Sequence, residues 1–254
     1  MRRTGSDGEE QLTLAALRRL VSTRPRRWLV AATFAAGLLA AVALAATTPA
    51  DDLTFAMLAE SAQSLMSVTV PFVTILLARD IRSSPSAPGV GVAYVGAEQG
   101  QARQAMPTLL AAAMFGAAVG AFGVLACAVS LAVAPASDPW QYAATVAVGS
   151  VLVQIVAALI GTGLGLLVRS WAVAFAASIV LPLGLWLLLG AVDALRPAQP
   201  WLTPYASVRN LLSGEMSALA WAQWLVMTLL WPVCLNAAGI ARVSRRHRLN
   251  TPRG

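Results

Sequence analysis

Residues 141–192 read QYAATVAVGSVLVQIVAALIGTGLGLLVRSWAVAFAASIVLPLGLWLLLGAV, two long apolar runs parted only by Arg169 and Ser170. Each run, 141–168 and 171–192, has at least the roughly 20 residues that a helix needs to cross a bilayer. Neither is confined to the one-sided stripe of period 3.6 that a soluble core helix carries. With two residues in which to turn, the pair forms a tight antiparallel hairpin. The fold class that follows is an all-α membrane protein.

The rest of the chain agrees. Of 254 residues 58% are hydrophobic and 11% charged, against roughly a quarter charged in soluble domains. Four further apolar runs, 28–47, 57–78, 107–133 and 219–240, bring the number of transmembrane helices to six. Trp28 sits where an interfacial aromatic belongs, and Pro107 occupies a helix-start position. The third span ends at the acidic, Arg-free turn 135–139. Between the second and third spans lies a 27-residue stretch, 79–105, rich in Pro, Gly and Ser, which reads as a loop long enough to be functional. Segment 193–218 holds Pro197, Pro200, Trp201, Pro204 and Tyr205 and a helical pattern at 208–212, and is expected to dip back into the outer leaflet as a partly re-entrant element.

Before the first span, Leu14, Leu17 and Val21 recur at i, i+3 and i+7 beside Leu20, with Arg18 and Arg19 turned elsewhere. This suits a short amphipathic helix lying in the interface, with a frayed cytosolic helix as the alternative. Three regions result: a cytoplasmic N-terminus, 1–27; a six-helix transmembrane domain, 28–240; and a basic cytoplasmic tail, 241–254. No cleaved signal peptide is expected, because the first apolar run is span-length and lacks a small-residue cleavage pattern.

Orientation follows from arginine, which supplies all 18 basic residues of a chain with net charge +7 and no Lys. Six spans place sixteen arginines on one side and only Arg196 and Arg209 on the other. By the positive-inside rule both termini are cytoplasmic. The expected location is the bacterial plasma (inner) membrane. The basic residues cluster at the ends of apolar runs and form no groove-sized patch, so nucleic acid is not the expected partner.

The same inventory excludes several chemistries. Without Lys there is no phosphate-binding loop of the G-x-x-x-x-G-K-[ST] kind and no Schiff-base lysine. The one His, His247, lies in the tail; no span holds paired carboxylates or a zinc motif. Cys127 and Cys234 fall in apolar runs without metal-binding spacing. An enzyme with its own cofactor or metal is therefore not expected. The polar residues at membrane depth are Glu60 and Gln63 in the second span, Gln154 at the middle of the fourth and Asn236 near the inner end of the sixth. They are either candidates for a translocation path or structural groups, Glu60 reaching headgroups and the amides bonding between helices. Gly116 with Gly120, and Gly161, Gly163 and Gly165, give small-residue spacing suited to close helix packing within the chain. Pro71, Pro182 and Pro232 should bend their spans.

The run Gly161-Thr-Gly-Leu-Gly-Leu-Leu-Val-Arg169-Ser-Trp-Ala-Val-Ala-Phe-Ala, and the closing pattern Trp231-Pro232, Gly239 and Arg245-Arg246, resemble the membrane subunits of ABC-2 type transporters. The order of parts is similar as well: an elbow helix, six spans, both termini inside and a re-entrant segment before the last span. Where that family often shows Glu and Gly-Thr after span two, this chain has Arg79-Asp-Ile-Arg82-Ser-Ser-Pro85. The resemblance implies a permease subunit of an exporter, working as a dimer with a second copy or a paralogue. ATP and Mg would be bound by a separate ATP-binding subunit. It also implies a short coupling helix in the 79–105 stretch, with Arg79, Asp80, Arg82, Glu98 and Arg103, and Arg169 at the second inner turn, as contacts to the ATPase. The alternative for these residues is a purely topological role. A hydrophobic or amphipathic cargo suits the apolar spans. The rival class is an ATP-independent secondary carrier or a structural membrane protein; a carrier normally keeps ionisable sites near the midplane, where this chain has little beyond Gln154.

Overall fold

The computed structural model describes residues 6–83, 96–133 and 138–250, with side chains over 11–80, 105–133 and 138–245. Among the described residues every regular element is helical. In order these are α1 (Ser6–Leu20), α2 (Arg24–Thr47), α3 (Phe55–Ser83), α4 (Gly96–Val133), α5 (Ala143–Leu167) and α6 (Trp171–Ala191). A 3₁₀ turn (Asp193–Ala198), α7 (Gln199–Leu202), α8 (Pro204–Ser213), α9 (Ala218–Thr228), a π turn (Leu229–Val233) and α10 (Cys234–Asn250) complete the chain. Six of these helical stretches are long and apolar enough to cross a membrane, so the chain is a multi-pass membrane protein.

The centre of the bundle is α5. Residues Ile160 through Leu166 are buried without interruption, which only a helix covered on all sides permits. Glycine makes that possible. In lipid no hydrophobic effect drives apolar helices together, so close van der Waals approach has to do it. A Cβ at Gly116 would lie 2.6 Å from the Gln154 carbonyl oxygen and one at Gly120 would lie 2.7 Å from Val151 Cα, fixing α4 on α5. On another face Gly161 meets Pro71 and Thr74, and Gly165 meets Ala78, fixing α3 on α5. The paired glycines thus serve packing within the chain. By contrast α2 buries only the line Thr33, Gly37 and Ala41, and α6 only Ala174 and Leu189. These two helices ring the bundle.

The Arg169–Ser170 hairpin forms as the sequence requires, with Ser170 capping α6 by accepting from the Val173 N–H. Other boundaries differ from the expectation. The 79–105 stretch is helical at both flanks: α3 continues to Ser83 and α4 begins at Gly96, so only residues 84–95, which lie outside the described residues, remain of the expected loop. Residues 96–106 are rich in Ala, Glu, Gln and Arg, good helix formers that carry no apolar signal. Pro107 accordingly lies inside α4 and does not open it. Of the turn at 135–139, residues 135–137 fall outside the described residues. The last helix does not stop at 240 but runs to Asn250, since the arginines that leave the membrane also favour helix.

The α1 helix forms, with one side on the bundle and the other open. Thr13, Ala16 and Leu20 are buried against the bundle with Leu17 beside them, whereas Leu14 and Val21 are exposed. Small Thr13 and Ala16 allow closer approach than the Leu14 side would.

Between α6 and α9, the 3₁₀ turn and α7 bury no residue, and α8 packs against α5. Thr203 caps α8 through the Ala206 N–H, and Gly214, at φ 82°, ends it in the left-handed conformation that glycine adopts without penalty. Leu211 packs against Gly149 of α5. The Trp231 indole donates to the Leu202 carbonyl at 2.8 Å, at a point about 20 Å along from the start of α9 at helical rise. Pro232, in the π turn next to it, has no N–H to give the ladder, which accounts for the irregularity there.

Candidate functional site

Two polar regions stand out from the apolar bundle. The first lies at membrane depth where α3, α4 and α5 meet. Gln63 and Gln154 are both completely buried. The Gln154 amide donates to Gln63 Oε1 at 2.8 Å and to the Gln63 carbonyl at 2.9 Å, while Gln63 Nε2 donates to the Gly120 carbonyl at 3.0 Å. Gly120 therefore has two roles: it lets α5 come close and it leaves its carbonyl open to an amide. One chain of hydrogen bonds joins three spans. Gln154 Oε1 and Ser150 Oγ, one turn apart on α5, are buried acceptors without a hydrogen-bond partner.

Asn236 sits apart from this pair. Its amide donates to Leu159 on α5 at 2.9 Å and to the Pro232 carbonyl at 2.7 Å. It thereby ties the helix beyond the π turn to α5.

Glu60 behaves differently. It is exposed, and with Ser64 and Ser67 at i+4 and i+7 it forms one polar edge along α3. The same meridian reaches Pro71 at i+11, which is buried where Gly161 of α5 packs on it. The polar edge is thus open over the half of α3 nearer Phe55 and covered from Pro71 on. Ser64 and Ser67 were missed from sequence. Their spacing from Glu60 was the available signal.

The second region is the end of the bundle that gathers most of the arginines. Arg26 makes a two-pronged ion pair with Asp80, at 2.6 and 2.7 Å, and also donates to the carbonyls of Arg19 at 2.9 Å and Leu76 at 3.2 Å. Asp80, a candidate contact for a partner, is thus engaged internally. Arg79 and Asp80 are half-buried, and Arg169 is exposed in the α5–α6 turn. Gly165 lies against Ala78, so Arg169, one turn on, emerges at the same end as Arg79. Arg82 lies in α3, and Glu98 and Arg103 lie in the first turns of α4; their side chains lie outside the described ones. Arg26 was not singled out from sequence, because its partner lies 54 positions away.

Among the described residues no three His, Cys, Asp or Glu side chains converge in a manner that would hold a metal ion. Cys127 is buried and Cys234 exposed, both as free thiols. Comparison with family models, with characterised proteins and with solved structures gives no match.

Proposed function

We propose that this chain is the membrane-spanning permease subunit of an ATP-binding cassette transporter of the ABC-2 type, exporting a hydrophobic or amphipathic cargo at the expense of ATP hydrolysed by a separate subunit. The observation that carries this reading is the open polar edge Glu60, Ser64 and Ser67 on α3. A carboxylate presented to lipid tails is costly; Ser64 beside it is exposed, and Ser67 is half-buried with its hydroxyl donating to the Ser64 carbonyl. Such an edge is accommodated when it borders an aqueous path or a second copy of the chain.

Further support comes from the parts list. The α1 helix packs one side on the bundle and leaves Leu14 and Val21 free, as an interfacial elbow helix would. The 193–217 segment reaches Trp231 through Leu202, which suits a re-entrant element. The arginine asymmetry favours both termini in the cytoplasm of a bacterial plasma membrane. The absence of Lys rules out a phosphate-binding loop in this chain, so the ATPase is a partner protein. In this scheme the inner ends of α3 and α4 and the Arg169 turn receive it, and its closure moves two permease copies against each other.

The test is cysteine chemistry at Ser64 and Ser67 in a background with Cys127 and Cys234 replaced by Ala. The reading expects labelling by a membrane-impermeant thiol reagent, or crosslinking to a second copy, at both positions, with a change on adding ATP to the assembled complex. Reaction only with lipid-soluble reagents, unchanged by ATP, would overturn it. Loss of transport on Glu60→Gln in a protein that works without any ATPase would establish a secondary carrier instead.

A further inference from the structure

We propose that the corner between α1 and α2 binds the phosphodiester headgroup of an anionic phospholipid, through Arg18, Arg24 and Arg27 with Leu14, Val21 and Trp28 beneath the acyl chains. The inference needs only a multi-pass membrane protein and stands apart from the transport reading.

Residues 11–28 contain five arginines and no acid. The structure divides the five by role. Arg26 turns inward to Asp80, and the Arg19 carbonyl accepts from Arg26. Arg18, Arg24 and Arg27 are exposed. On α1, Leu14 and Arg18 share one face at i and i+4, and Val21 follows in the turn just past its end; on α2, Arg24, Arg27 and Trp28 share another at i, i+3 and i+4. The two faces are joined where Arg27 Nε donates to the Val21 carbonyl at 2.8 Å. That bond folds the Arg27 stem back over the connecting turn.

The apolar members are exposed too: Leu14 at 49%, Val21 at 44% and Trp28 at 73%. Cations interleaved with uncovered apolar side chains ask for a ligand that is anionic at one end and oily at the other. A soluble anion would use the guanidinium groups and leave Leu14, Val21 and Trp28 bare. A lipid phosphodiester uses both: guanidinium forks match phosphate oxygens, and the Trp ring belongs at headgroup depth. The connecting turn adds the exposed Ser22 and Thr23.

The experiment is native mass spectrometry of the intact, detergent-purified protein titrated with dioleoyl phosphatidylglycerol or dioleoyl phosphatidylcholine. The wild type should retain phosphatidylglycerol preferentially. The triple change Arg18→Gln, Arg24→Gln, Arg27→Gln should weaken that retention at least about tenfold, and Arg18→Gln alone about fivefold. Arg242→Gln with Arg245→Gln, at the far end of the chain, should leave it unchanged. Because Arg24 and Arg27 adjoin the first span, the triple variant could fail to insert; Arg18 lies outside every span and its single variant then decides. Undiminished phosphatidylglycerol retention by the Arg18 variant would overturn the assignment. Inorganic phosphate that displaces the lipid at equal concentration would also overturn it, by marking a soluble-anion site.

Discussion

Arg26 and Asp80 face each other as fork and carboxylate at 2.6 and 2.7 Å, and the same guanidinium holds the Arg19 carbonyl, so one side chain joins α1, α2 and α3. The pair is shielded, with the two side chains 15% and 29% exposed, so it retains more of its strength than a surface ion pair. Arg26→Ala should lower stability in detergent by about 2 kcal/mol, the scale of charge-assisted hydrogen bonds. Arg26→Lys should recover only part of that, since an ammonium cannot form the two-pronged pair. Limited proteolysis should cut α1 sooner in both variants. Unchanged proteolysis of α1 would show that its packing through Ala16 and Leu20 suffices alone.

The Gln63–Gln154 bond makes a second prediction. Gln154→Met keeps volume and removes the donor, and should cost about 1 kcal/mol, the usual size of a hydrogen bond between membrane helices. The double change Gln63→Met with Gln154→Met should cost less than the sum of the single changes, because each single change already breaks the one side-chain bond the two amides share. Unfolding in mixed micelles measures both. Strict additivity would mean that the two amides act separately.

Glycine at the α3–α5 contact makes a third. A Cβ at Gly161 would lie 2.6 Å from the Pro71 backbone, whereas one at Gly184 on α6 meets nothing within 4 Å. Gly161→Ala should destabilise by roughly 1–3 kcal/mol through overpacking. Gly184→Ala should be neutral or slightly stabilising, as expected from helix propensity alone. Thermal unfolding of the two variants side by side tests the comparison, and equal effects would contradict the packing described.

The six spans were legible because length and hydropathy alone mark them, and the α5–α6 hairpin because two residues leave the chain no other course. The flanks of α3 and α4 were not legible. Residues 96–106 leave the membrane without an apolar pattern, and helix propensity there had to compete with the nearby Pro, Gly and Ser of the 84–95 stretch. The α1 helix was legible as an amphipathic segment, but the small Thr13 and Ala16 that seat it on the bundle give no large-apolar signal. The polar residues of the spans were visible one by one. Their partnerships were not: Gln63 and Gln154 lie 91 positions apart, and Asn236 bonds to a backbone carbonyl 77 positions away. A single sequence gives no sign of which amides will meet. The Glu60, Ser64 and Ser67 edge was readable by period, yet its exposure depends on where α5 ends its contact with α3.

The proposal that this chain is a permease subunit requires a separate ATPase bound to it. The most direct measurement is to extract the tagged, full-length chain from its native membrane in mild detergent and identify what co-purifies in near-equal amount. A permease subunit should bring with it a soluble protein carrying the G-x-x-x-x-G-K-[ST] loop that this chain lacks, with ATPase activity in the purified complex. A monodisperse, intact protein that repeatedly emerges with no such partner would contradict the proposal.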